Sequence, residues 1–231
     1  MRTVFLAVIA SCALAVPAGA ATRSFGITDF TKVRVEGPFK VTLATGVAPF
    51  AKASGSSAAL DRVAVEVRGD TLVVQPSASS WGGYPGADPG PVEISVGTHD
   101  LAGAVLNGSG SLLIDGVRGL SFGLSVQGSG RAEIGSAEID QMNVSIVGSG
   151  SARLAGRAKK LTALVRGISA LDAASLAATD ASIGADGAAT IDADVSDSTT
   201  VDASGPATIR LTGQPACTLK VTGSTSVSGC K

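Results

Sequence analysis

The chain has 231 residues, with 18 Lys and Arg against 19 Asp and Glu, a formal charge of −1, and 3% aromatic residues. So even a balance, with no basic stripe interleaved with aromatics, argues against a nucleic-acid surface. A single histidine, His99, with no HExxH and no GxSxG, leaves no parts for a zinc site or a serine triad. No cofactor and no metal site are expected.

Residues 1–20 read as a secretory signal peptide: Arg2, an apolar run from Val4 to Val16, and Ala18-Gly19-Ala20 as a small-residue cleavage site. The run is too short to anchor the chain across a bilayer. Ile9-Ala10-Ser11-Cys12 resembles a lipobox, but the apolar run before Cys12 is short and the residues after it are still apolar. The expected destination is the periplasm or the cell surface of a bacterium. Residues 21–231 form one domain, with N-terminal strands and a loop over 21–100 and repeats over 101–231.

Val33, Val35, Gly37, Phe39, Val41 and Leu43 alternate across Gly37-Pro38, and Val63 to Val67 lead into Leu72-Val73-Val74. These are strands joined by glycine turns, expected to form the first coils or a cap. Arg68-Gly69-Asp70 between them is a turn before it is an adhesive tripeptide. Residues 76–91 (PSASSWGGYPGADPGP) carry the only tryptophan and the only tyrosine, Trp81 and Tyr84. Aromatics in such a loop stack on a sugar ring or anchor a partner; they also fold back to cover an exposed edge. Trp81 and Tyr84 are therefore ligand-binding candidates. Residues 92–99 are a further strand.

Then a phrase recurs: LNGSGSLLI (106–114), VQGSGRAEI (126–134) and IVGSGSARL (146–154), with weaker copies around Gly167, Gly187, Gly205 and Gly223. The first glycines are spaced by 20, 20, 19, 20, 18 and 18 residues. Two and four positions before them, and four after, the residues are apolar, for example Val144, Ile146 and Ala152 about Gly148. That is the period of a strand with one buried face. Repeats of this length cannot bury their own apolar rows, but stacked copies join them into ladders. The expected fold is an all-β parallel β-solenoid (β-helix) with coils of about 18–20 residues.

Five places after successive anchors stand Glu133, Arg153, Asp172, Asp192 and Arg210. With strands roughly 4.8 Å apart, they form a ladder of surface charge, structural in its simplest sense. Asp172 and Asp192, adjacent in its middle, would be the catalytic or cation-binding pair if one existed, with Asp186, Asp194 and Asp202 close in sequence. Arg153, Arg157, Lys159, Lys160 and Arg166 make one basic coil, a solvated face or a docking patch for an acidic polymer. Asn107 and Asn143 match glycosylation sequons but fall inside strands. Cys217 and Cys230 flank Gly223, and a disulfide between them closes a loop of about fourteen residues at the last coil, contributing roughly 3 kcal/mol.

GSG at a twenty-residue step, after FTKVRVEGPFKVTL (30–43) and Asp70-Thr71-Leu72-Val73-Val74, resembles the bacterial head GIN domain family, described as auto-transporter adhesins of uncharacterised function. The similarity extends from about Phe25 to Cys230. From Gly167 the phrase degenerates to Gly-Ile-Ser, Gly-Ala-Ala and Gly-Pro-Ala. The resemblance implies an exported β-solenoid and carries over no catalytic residue. Three functions follow: a non-catalytic adhesion or interaction module of the cell envelope, contacting polysaccharide or a surface protein; a polysaccharide lyase or hydrolase, since β-helices host such chemistry; or a structural spacer.

Overall fold

The computed structural model describes residues 21–78 and 90–231. The expected leader with Cys12, and the loop residues Trp81 and Tyr84, lie outside that range.

The described residues hold seventeen strands and one helical turn. Strand β1 (Ala21–Phe25) precedes β2 (Lys32–Glu36), β3 (Lys40–Thr45) and β4 (Phe50–Gly55). Helix α1 (Ser57–Leu60), whose first turn is capped by the Ser56 side chain, leads to β5 (Val63–Arg68), β6 (Thr71–Pro76) and β7 (Glu93–Thr98). The repeats comprise β8 (Gly103–Gly108), β9 (Ser111–Ile114), β10 (Val117–Gly128), β11 (Arg131–Gly148), β12 (Ser151–Gly167), β13 (Ala170–Asp186), β14 (Thr190–Ser204), β15 (Thr208–Thr212), β16 (Ala216–Thr222) and β17 (Ser226–Ser228).

Every repeat strand pairs in parallel with its counterpart one coil away. The chain is a β-solenoid, as its period requires. The first face collects the arms that precede each glycine: β6, β2, β8, the C-terminal parts of β10 to β14, and β16. The second face collects the arms that follow it: β7, β3, β9, the N-terminal parts of β11 to β14, β15 and β17. A short third face, with 117–119 against 137–139 and 137–139 against 156–158, returns the chain to the first.

The inward rows are the apolar positions of the repeat. Val33, Ala104, Leu124, Val144, Ala163, Ile183 and Val201 form one, and Val41, Leu112, Ala132, Ala152, Leu171, Ile191 and Ile209 another; all are buried. At roughly 1.5–3 kcal/mol per buried Val, Leu or Ile, these rows dominate stability. At the corner before the first face a row steps down in size: Phe122, Met142, Leu161, Ala181, Thr199, Cys217.

The first glycine survives in every repeat because the chain turns there with positive φ. Gly148 has φ +115°, and a Cβ would stand 2.7 Å from the Gly128 carbonyl oxygen. The second glycine has no positive φ, although at Gly110 a Cβ would crowd the Phe39 carbonyl oxygen and at Gly150 stand 2.8 Å from that of Gly130, so the coils shift where it is replaced. Ser169, Ala189 and Ala207 occupy its place in the later coils and are buried, so degeneration of the phrase after Gly167 leaves the fold intact. Ser169 Oγ donates to the Gly148 and Arg166 carbonyls, each at 3.0 Å.

The N-terminal segment supplies both coil strands and antiparallel edge strands, and it is not laid down in order. β2 sits between β6 and β8, and β3 between β7 and β9. After β1 at the outer edge, the chain lays down β2 and β3 one coil in, runs outward through β4 to β7, and returns over the first coil to start β8. Antiparallel strands close the outer edges: β4 on β7, β1 on β4, and β5 on β6. At the opposite end the disulfide Cys217–Cys230 ties β16 to the chain terminus.

Candidate functional site

The charged residues singled out by the repeat do stack. Glu133 lies opposite Arg153, Arg153 opposite Asp172, Asp172 opposite Asp192, and Asp192 opposite Arg210 on the second face. The two central carboxylates are each engaged from the outside. Arg153 Nε donates to Asp172 Oδ2 at 2.9 Å, and Arg210 Nε to Asp192 Oδ1 at 2.6 Å. The Asp192 hydrogen bond holds the Arg210 guanidinium pKa above its ordinary value.

The other aspartates do not join them. Asp186 and Asp202 face outward on the first face, where Ser204 Oγ donates to Asp186 at 3.0 Å and Lys220 Nζ approaches Asp202 at 3.3 Å. Asp194 stands at the edge of the third face and accepts from Thr212 Oγ1 at 2.9 Å. Among the described residues no three His, Cys, Asp or Glu side chains gather in a metal-binding group. Three members of the basic coil are matched in the same way: Arg153 as above, Arg157 with Glu138 at 3.2 Å and Lys159 with Asp140 at 2.8 Å. Lys160 and Arg166 lie opposite Asp180 and Asp186 in the ladder. His99 Nδ1 lies 3.1 Å from Asp29 Oδ2, and that contact lowers the Asp29 carboxyl pKa.

A concave feature lies elsewhere, on the outward side of the first face. One row there runs Thr71, Lys32, Gly103, Gly123, Asn143, Thr162 across successive strands. The next runs Arg34, Val105, Ser125, Ser145. The adjacent glycines leave a trough of about 390 Å³, floored by Gly103, Gly123 and Val105. Lys32 and Arg34 rise on one side; Asn143, Ser145 and Thr162 stand on the other. Among the described residues no carboxylate, histidine or cysteine lines it.

The sequence carried a signal for this trough that is easily passed over. Gly103 and Gly123 stand five places before their anchors, at an outward position where the following copies have Asn143, Thr162, Ser182 and Thr200. They fall outside the GSG phrase and so look like background in a glycine-rich chain.

A sequence model for the family described as "Putative auto-transporter adhesin, head GIN domain" matches residues 29–215. No functionally curated protein matches the chain in sequence. In structure it resembles a "putative adhesin" from Bacteroides fragilis at TM-score 0.79 and 18% identity, over 91% of this chain and 95% of that one. A "putative lipid binding protein" from Parabacteroides distasonis aligns at TM-score 0.74 and 20% identity, over 93% and 98%. A further "putative adhesin", from Parabacteroides merdae, aligns at 0.69 and 17%, also over 93% and 98%. Identities this low carry the fold alone.

Proposed function

The chain belongs to the head GIN domain family, and from that premise we propose that it is an exported adhesion or interaction module of the bacterial cell envelope that binds without catalysis. The observation that supports this most directly is the lining of the trough. It presents two cations, an amide and several hydroxyls over an apolar floor, a composition suited to contact. General acid–base catalysis needs a titratable group within hydrogen-bond reach of the substrate; among the described lining residues Lys32 is the one candidate, and its ammonium is paired with Asp70 at 3.0 Å.

The lyase or hydrolase reading would draw on Asp172 and Asp192. Each is hydrogen-bonded to an arginine on an exposed face, so both carboxylates are already engaged in cross-strand ion pairs. The disulfide suits an oxidising compartment such as the periplasm or the cell surface. No helix among the described residues is long and apolar enough to cross a membrane. Trp81 and Tyr84 remain candidates for a second contact point, on the argument from their loop's composition.

The test is retention. Protein recovered from the periplasm of an expression host, immobilised and exposed to intact bacteria, envelope polysaccharide fractions and solubilised envelope proteins, is expected to hold at least one of them. If it retains none of the three, the adhesion reading fails. Turnover of a polysaccharide that disappears in Asp192→Asn would replace it with the enzymatic one.

A further inference from the structure

We propose that the trough on the first face is a binding site for an acidic glycan, a run of sugar rings bearing uronate carboxylates. The proposal rests on the adhesion reading and names a ligand class and a place for it.

The glycines at its floor are not demanded by the fold. A Cβ at Gly123 would meet nothing within 4 Å; at Gly103 the nearest atom would be the Gly123 carbonyl oxygen at 3.5 Å, an ordinary contact. Neither residue has a left-handed φ. A glycine in mid-strand gives up backbone entropy and cross-strand packing, and here no turn or close approach offsets the loss. The contrast with Gly148 is plain, since there both φ and a 2.7 Å approach forbid a side chain. What two adjacent, structurally optional glycines preserve is an open floor.

Its dimensions suit sugars. Lys32 and Asn143 are three strand steps apart along one row, about 14 Å at the usual strand spacing, and the two positions between them are bare. That leaves room for about two pyranose rings lying across the strands.

The walls select the charge. Arg34 Nη1 stands 3.8 Å from Glu36 Oε1, too far for a hydrogen bond, so among the described residues that ion pair leaves its donors open to water or a ligand. Lys32 Nζ contacts Asp70 at 3.0 Å and has further protons to give. Both cations are half-exposed and border a trough that no carboxylate lines among the described residues. Uronate groups would meet this wall in charge-assisted hydrogen bonds. Ring hydroxyls would meet Asn143, Ser145 and Thr162 on the opposite one, and the C–H faces of the rings would rest on Val105 and the glycine backbone. A fatty acid would satisfy the floor and the cations, but its chain offers nothing to the amide and hydroxyl wall.

The experiment is a titration of the periplasmically recovered, ¹⁵N-labelled protein with trimers of glucuronic, galacturonic and mannuronic acid. Cellotriose serves as a neutral counterpart and dodecanoate as a lipid probe. At least one uronate trimer is expected to move the Gly103 and Gly123 amide signals. Gly123→Leu is expected to weaken that binding at least tenfold without lowering the thermal midpoint. Arg34→Gln is expected to weaken the uronate more than cellotriose. Uronate binding that leaves both amides unmoved, or that Gly123→Leu leaves intact, overturns the proposal. So does movement of the two amides by dodecanoate and by no trimer, which would assign the trough to a lipid. If the protein retains bacteria or envelope fractions but no uronate trimer moves the amides, the site proposal falls and the adhesion reading stands. A trimer seated in the trough of a protein that retains no envelope component upholds the site and removes the adhesion reading.

Discussion

The coils at residues 103–154 and those at 170–228 share one register but are filled by different means. In the former the corner row is Phe122 and Met142, the inner rows hold Leu106, Val126 and Ile146, and both glycines of the phrase are present. In the latter the corner row has fallen to Ala181 and Thr199, and the inner rows include Ala185 and Ala203. The anchor spacing also falls, to 18 residues. A solenoid thus asks of each coil a positive-φ turn and an inward row in register, and tolerates a taper at the corner and beside the anchor. On the second face, by contrast, Leu171, Ile191 and Ile209 stand where Ala132 and Ala152 did. The taper has a cost. Less apolar area is buried along the two tapering rows, and the stabilisation scales with that area at about 25 cal/mol per Å². The ends differ accordingly. Three antiparallel strands close the N-terminal side, whereas on the C-terminal side Leu219 and Val221 stay exposed at 48% and 38% beside a covalent staple.

If the large-residue coils carry the stability, Phe122→Ala should cost about 3–5 kcal/mol in denaturant unfolding. Ala181→Gly, three coils further along the same row, should cost about 1 kcal/mol. Equal losses would mean that the taper is only apparent. The next largest effect belongs to the staple. Replacing Cys217 and Cys230 with serine should remove about 3 kcal/mol. The loss should be local: faster hydrogen exchange in β14, β16 and β17, with β8 to β11 unchanged. Spread of the exchange into β8 would show one cooperative unit instead of two unequal ends. Smaller again is Thr199→Val. Thr199 is 2% exposed and its Oγ1 has no hydrogen-bond partner among the described residues, so the isosteric change should raise stability by about 1 kcal/mol.

The difference between the two regions also explains what the sequence made legible. Alternation about Gly108, Gly128 and Gly148 specified the inward rows, because a one-residue slip would turn every apolar side chain to solvent. The same alternation surrounds Gly37, with Val33 and Val35 before it and Val41 after it, and Gly37 stacks beneath Gly108 with φ +103°. It is an eighth anchor, hidden because Pro38 and Phe39 replace the small residues of the phrase. The order of the N-terminal coils was not legible at all. Nothing local records that β2 pairs with both β6 and β8, since strand order is settled by which apolar edges remain uncovered once the chain is closed. The charged ladder was legible, because stacking in register follows from the period alone. The trough was not, because its signal is two missing side chains, and only the structure shows that no turn or contact requires them to be missing.

Acid should separate the two ends, and with the smallest of these effects. On the N-terminal side the Asp70 carboxyl pKa is lowered chiefly by its hydrogen bond with Lys32, and that of Asp29 by its contact with His99. Asp29 lies beside Phe30, which is buried at the start of the cap, and the Asp70 carbonyl accepts from the amides of Thr31 and Lys32 as they enter β2. A carboxylate whose folded pKa is depressed adds stability that is present above its unfolded value, about 3.9 for aspartate. The contribution is lost as pH falls through the folded value. The thermal midpoint should therefore be flat from pH 7 to 5 and fall below about pH 4, with hydrogen exchange in β2 and β6 rising first. The Cys217–Cys230 bond does not titrate, so β16 and β17 should lag behind. Asp29→Asn and Asp70→Asn should each flatten the acid limb while leaving exchange at the C-terminal end unaltered. Acid-induced exchange that begins in β16 instead would mean that the staple, and not the cap, guards the weaker end of the solenoid.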